Sequence, residues 1–223
     1  MRTIRKWLTC PAAPKVFTAL AVLLAVNVLI AVMMISHAQK TFLDQLRFRL
    51  LDVCNSAAAL IKGEDVAELT EEDIGSERYD RVLGTLRIFQ NSIDLSYIYA
   101  VDAGKDGVFR YTIDPDPESP AGFGAEIETT PALLSAASGV PAMDTEIDSD
   151  EWGTFYSAFS PIYDTRGNIV GIVGADYEVS ALRPYLTRSY LLIAAVTGIS
   201  MLSGILLGLH ILRLSAVMSD NIE

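Results

Sequence analysis

Asp176 is the residue whose setting most invites chemistry, because it interrupts the apolar run IVGIVGADY (169–177) and shares one strand face with Val170, Ile172 and Gly174. An ionised carboxylate in such company needs a partner. That partner is either a ligand ammonium or hydroxyl, or a salt bridge or cap at the strand end. Arg110 offers the opposite charge, suited to bidentate contact with a ligand carboxylate and equally to pairing with one of the many surface acids. Trp152, Tyr156, Tyr97 and Tyr99 carry amphipathic rings on strand-like segments, where such rings line a pocket or pack as strand core. Arg110 and Tyr111 are neighbours on one strand, so they point to opposite faces and cannot both serve a site on one of them.

Asp114, Asp116 and Glu118 alternate like oxygen ligands for calcium. The glycine and distal glutamate of an EF-hand loop are missing, so no metal is expected and an acidic proline loop is the simpler account. No phosphate-cradling glycine loop followed by Lys-Ser/Thr, no HExxH helix, no CxxC and no GxSxG elbow occurs. Neither a catalytic centre nor a cofactor is expected, and paired carboxylates are too abundant to single out a hydrolase.

These residues lie between two apolar runs, Val16–Ser36 and Tyr190–Leu212, that contain no Asp, Glu, Lys or Arg. Each reaches the roughly 20 residues that a helix rising about 1.5 Å per residue needs to cross about 30 Å of hydrocarbon. The expected organisation is a cytoplasmic tail (1–15), a membrane helix (16–36), an extracytoplasmic domain (37–189), a second membrane helix (190–212) and a cytoplasmic tail (213–223). Arg2, Arg5, Lys6 and Lys15 precede the first run without an acid, and Arg213 follows the second, which places both termini inside. A cleaved secretory signal is the alternative for the first run, since Ser36-His37-Ala38 imitates a cleavage site. Its 21 apolar residues, however, exceed the usual signal core of about 7–15.

The central segment has 12 basic and 26 acidic residues, a balance that repels anionic headgroups and nucleic acid; nucleic acid is not an expected partner. Cys10 and Cys54 fall on opposite sides of the membrane, which rules out a disulfide within the chain. His37 and His210 each sit at a membrane boundary, leaving no histidine for chemistry in the domain. Ser200, Gly204 and Gly208 form a strip of small residues that either pairs the two spans of one chain or joins two chains.

Past the first span, Leu43, Leu46, Leu50, Val53, Ala57 and Leu60 repeat in heptad fashion, so the helix continues as a stalk (37–62) whose seam packs on the domain's own sheet or on a second copy. Gly63 is a plausible stop. Ser76 is the expected N-cap of a helix bearing Tyr79, Val82, Leu83, Leu86 and Phe89 on one face. Leu95–Asp102 and Val108–Ile113 read as a hairpin across GKDG, followed by the loop DPDPESP. Thr130–Gly139 reads as a short helix and Thr145–Ile147 as a brief strand. Trp152–Tyr163 and Ile169–Val179 form a second hairpin, and an exit helix near Ser180–Thr187 leads to the second span.

YIYAVD (97–102), DPDPESPAGFG (114–124) and above all DEWGTFYSAFSPIYDTRGNIVGIVGADY (150–177) make the central domain resemble the extracytoplasmic Cache domains, PAS-like sensor modules of bacterial chemoreceptors, histidine kinases and diguanylate cyclases. The resemblance implies an α+β fold with an antiparallel sheet of about five strands behind a long N-terminal helix. It also implies a small-molecule pocket on one sheet face, roofed by the central loops and short helix, in a two-pass protein of the bacterial inner membrane. The expected partners are then a small ligand (an amino acid, an amine or a carboxylate), the membrane, a second copy in a homodimer and a cytoplasmic signalling protein. Only Arg213–Glu223 follow the second span, too few for an output domain. The rival expectations are therefore an N-terminal fragment of a signalling enzyme and an accessory membrane subunit that binds a protein.

Overall fold

The structure, a computed structural model, describes residues 12–92, 95–144, 148–150, 153–179 and 183–220. In chain order its elements are α1 (Ala13–Leu60), the single turn α2 (Gly63–Val66), a 3₁₀ turn (Glu71–Asp73), α3 (Glu77–Ser92), β1 (Tyr97–Val101), β2 (Tyr111–Ile113), α4 (Pro131–Ala137), β3 (Ala142–Met143), β4 (Asp148–Asp150), β5 (Gly153–Tyr163), β6 (Ile169–Glu178) and α5 (Arg183–Asp220). They form two compact units, one of Phe42–Arg183 and one of Met1–Thr41 with Pro184–Glu223. Trp152 and the expected strand Thr145–Ile147 lie outside the described residues.

The domain is α+β, with an antiparallel sheet in the order β2-β1-β6-β5-β3; β4 pairs with β5 further along the edge that β3 uses. Strand alternation then divides the side chains. Tyr97 and Ser157 both stand opposite Asp176, while Tyr99 and Phe159 both stand opposite Gly174, so these residues share one face with Ile172 and Val101. Ile98, Ala158, Ala175 and Tyr156 belong to the other.

On that second face, Cys54 donates from Sγ to the Ala158 carbonyl at 3.1 Å, Ser160 donates to the Asn55 carboxamide oxygen at 2.8 Å, and the Arg47 guanidinium lies 4.7 Å from the Tyr156 ring centre. Leu50, Val53, Cys54 and Ala57 are buried there. The stalk seam thus packs on the domain's own sheet. Its last predicted member departs, because Leu60 is 67% exposed and Ile61 is buried in its stead. The first face is covered by α4, whose Ala132, Leu133 and Ala136 form a core with Tyr99, Val101, Phe109, Phe159 and Ile172.

Local signals explain the remaining joints. Ser76 accepts from the Tyr79 N–H at 3.3 Å as the α3 cap, and Val82 and Leu86 carry the buried stripe. Thr130 caps α4 by accepting from the Leu133 N–H, and buried Asp144 accepts from the Thr130 hydroxyl at 3.0 Å and the Ala132 N–H at 3.3 Å. Gly63 opens α2 at a place where a Cβ would collide with the Tyr163 carbonyl and the Asp164 backbone, so its use there is close approach. Next to it, Glu64 accepts from the Thr165 N–H at 3.0 Å, tying α2 to the β5–β6 turn.

Within the helical unit, Gly204 receives Leu23 and Gly208 receives Val16 and Leu20, so this part of the small-residue strip pairs the two helices of one chain. Gln39 donates to the Tyr190 hydroxyl in the same unit. Both α1 and α5 contain segments long and apolar enough to cross a membrane, with little of either buried in protein.

The β5–β6 turn is held by Asp164, which accepts from the Arg166 and Asn168 N–H groups at 2.8 Å each and from the Asn168 side chain at 2.9 Å. Those bonds, the Asn168 side chain foremost, lower its pKa from 3.8 to about 2, and Arg78 does the same for Asp73. A carboxyl with a depressed folded value stabilises the fold fully above its unfolded pKa and loses that contribution as pH falls through the folded one. Acid unfolding followed by circular dichroism should therefore steepen between pH 3.8 and about 2. Asp164→Asn should flatten that limb; an unchanged acid profile would contradict the assignment.

Candidate functional site

On the α4 face of the sheet, Tyr97, Tyr99, Tyr111, Phe155, Asp114, Ser119, Ala121 and Asp176 surround one cleft. It holds about 340 Å³ of atom-free space, part of it open solvent. Asp176 lies at its base, only 8% exposed on a strand whose neighbours are apolar. Desolvating a carboxylate is costly unless hydrogen bonds compensate. The Tyr99 hydroxyl provides one, donating to Asp176 Oδ1 at 3.2 Å. A hydrogen bond to a charged group contributes roughly 1.5–3 kcal/mol.

Tyr99 reaches this position because residue 174 has no side chain. A Cβ on Gly174 would overlap the Tyr99 ring, which lies across the backbone of β6 and delivers its hydroxyl to the carboxylate one strand pair further on. Burial and then the Asp176 charge push the Tyr99 pKa well above the ordinary tyrosine range, so the phenol stays a neutral donor. On the reverse face, burial and then the same carboxylate raise the Cys54 thiol, which remains a neutral packing group.

The walls are aromatic. Tyr97 meets Phe155 edge-to-face with centres 5.6 Å apart, and Tyr99 meets Tyr111 in the same manner at 4.9 Å. Asp114 builds the roof, with Oδ1 accepting from the Asp116 N–H at 2.9 Å and Oδ2 from the Ala121 N–H at 2.7 Å, which folds the proline loop so that Ser119 and Ala121 meet the cleft. Burial raises the Asp114 pKa, with the two N–H groups opposing it.

The structure thus brings Asp176, Tyr97 and Tyr99 together and separates two other sequence candidates from them. Tyr156 sits on the opposite face beneath Arg47, as the single-residue step from Phe155 requires. Arg110 pairs with Asp106 at 2.9 Å and lines a different hollow with Val66, Glu68 and Leu69. Trp152 is outside the described residues. Tyr111, Phe155, Asp114 and Ser119 were not selected from sequence. Alternation makes Tyr111 exclusive with Arg110, and Asp114 reads from sequence only as one of three alternating acids in an acidic proline loop. Among the described residues no group of three His, Cys, Asp or Glu is arranged to hold a metal.

No family model matches the chain, and no curated protein matches it. Solved structures do. The ligand-binding domain of the Campylobacter jejuni chemoreceptor Tlp3, in complex with 4-methylisoleucine, is similar at 17% identity and TM-score 0.48, over 72% of this chain and 62% of that one. The Escherichia coli DcuS sensor domain is similar at 17% identity and TM-score 0.43, over 66% of this chain and 95% of that one. The Campylobacter jejuni Tlp1 periplasmic sensory domain follows at 14% identity and TM-score 0.45, over 70% and 62%. The chain spans about 62% of the Tlp3 domain's length. These three are a ligand-binding domain, a sensor domain and a periplasmic sensory domain.

Gly174→Ala should displace the Tyr99 ring and cost about 1–3 kcal/mol in chemical denaturation, the usual range for overpacking a tight site. In a Tyr99→Ala background the same change should cost much less, because the two residues touch. Additive effects would show that Gly174 does not position Tyr99.

Proposed function

We propose that this chain is a membrane-anchored receptor whose external domain binds a small molecule in the Asp176 cleft and passes the event inward through α1 and α5. The observation that carries the reading is the cleft itself, a partly open site walled by aromatic rings around one nearly buried carboxylate. Such composition, mostly apolar with a few orienting polar groups, is that of small-ligand sites. Two helices with membrane-spanning character support anchoring, and the charge of the leading tail supports cytoplasmic termini.

A route inward is also at hand. The strand that presents Asp176 to the cleft pairs along its length with β5, and β5 is gripped by Cys54, Asn55 and Arg47 of α1. A ligand that shifts β6 against β5 changes the seating of a helix that is unbroken from Ala13 to Leu60. Binding moves that equilibrium only as far as its affinity differs between the two seatings. Output then falls to a separate cytoplasmic partner or to further sequence.

The test is a metabolite screen by thermal unfolding of the full chain in a nonionic detergent. A true ligand at 100 times its Kd stabilises by about 2.7 kcal/mol, and Asp176→Asn or Tyr97→Ala should abolish the shift. A broad screen without a hit, or hits indifferent to both substitutions, would refute the receptor reading. Reporter fusions at Met1 and Glu223 should both report cytoplasm; opposite sides would refute the two-pass arrangement.

A further inference from the structure

On the reverse of the sheet from the Asp176 cleft lies a second hollow, with about 710 Å³ of atom-free space, part of it open solvent. Thr112 lines it, and strand alternation turns Thr112 away from its neighbour Tyr111 in the cleft. The two places share no described lining residue. We infer that this hollow is a second binding site of the domain and takes an aliphatic ω-amino carboxylate, a short chain with an ammonium at one end and a carboxylate at the other. The inference is independent of the receptor reading of the cleft.

The hollow has an aliphatic surface between two walls of opposite charge. Val66, Leu69 and Val170 provide the aliphatic part. One wall is the segment after α2, where Val66 packs over Gly171 of β6 and the Ala67 carbonyl accepts from Arg78 at 3.1 Å. It presents Glu68, which keeps a side chain at a φ of 53°, a conformation that glycine adopts more readily. The other wall is the turn between β1 and β2, which presents Lys105. Asp102 fixes that turn by accepting from the Gly104 and Arg110 N–H groups at 3.1 and 3.2 Å, and Arg110 pairs with Asp106 at 2.9 Å.

The remaining charges of the lining are thereby committed, Asp102 to those N–H groups and Arg110 to Asp106. Glu68 and Lys105 are exposed and make no hydrogen bond or ion pair with any described residue. An anion on one wall and a cation on the other, with aliphatic surface between them, match a ligand whose own charges are separated by methylene groups. Each end then meets a counter-charge, and the methylenes leave water against Val66, Leu69 and Val170. An α-amino acid sets both charges at one end, which suits a single wall.

The experiment titrates the full chain in dodecyl maltoside, at constant ionic strength, with the ω-amino series from 3-aminopropanoate to 6-aminohexanoate, read by calorimetry. Butanoate and butylammonium are the single-ended controls. At least one member of the series should bind saturably and more tightly than either control. Lys105→Glu or Glu68→Lys alone should weaken that member by about threefold to thirtyfold, the loss of one exposed ion pair plus a like-charge contact of similar size. Lys105→Glu combined with Glu68→Lys should restore binding, with the ligand reversed end for end. Both side chains are exposed, so circular dichroism of these variants should match that of the parent. Asp176→Asn should leave the affinity unchanged. No saturable binding, controls as tight as the series, single reversals without effect, a double reversal that restores nothing, or loss of binding in Asp176→Asn each overturns the inference. The receptor reading is decided separately, by screen hits that depend on Asp176 and Tyr97.

Discussion

A carboxylate held almost out of water is the constraint on which this domain turns. Asp176 interrupts the apolar stretch of β6 from Ile169 to Ala175, and an ion there is tolerated only if its surroundings replace part of its hydration. The requirement propagates outward. Tyr99 must lie flat to bring its hydroxyl within 3.2 Å, a flat ring needs a glycine beneath it, and Gly174 is therefore set by the carboxylate two residues later. Tyr111 in turn packs its ring against Tyr99, and the loop organised by Asp114 closes the remaining side. The cleft is the space left by that chain of demands.

The same strand explains how a site could speak to a helix. Successive residues of β6 face opposite ways, so Asp176 looks into the cleft while its neighbour Ala175 looks toward the face on which α1 rests. No long path is needed between ligand and helix, since one sheet thickness separates them. The sheet is also fastened at its ends: the Ser96 hydroxyl accepts from the Glu178 N–H at 2.8 Å, and Asp164 locks the β5–β6 turn.

Energetically the two faces differ in kind. The α1 face is closely packed, with Cys54 and Ala57 fully buried and the polar contacts of Asn55 and Arg47 made to β5. The α4 face is part core and part cleft, and its short helix depends on Thr130 and buried Asp144 for its cap. A face that keeps open volume and polar atoms is less able to bury apolar surface, and stability is commonly lowest where ligands enter.

By itself the sequence determined the periodic features: two apolar runs of membrane-spanning length, a stalk in register with the first, the α3 cap at Ser76, a short helix near Thr130–Gly139, two hairpins, and Asp176 as an acid out of place. Each of these depends on contacts within a few residues, which spacing records directly. Tertiary structure decided which side chains meet. Whether the stalk seam faced its own sheet or a second copy, whether Arg110 or Tyr111 reached the cleft, and whether Tyr156 or Phe155 did, all depended on the pairing of strands far apart in the chain. A shift of one residue in that register exchanges the two faces, and nothing local in the sequence reports it.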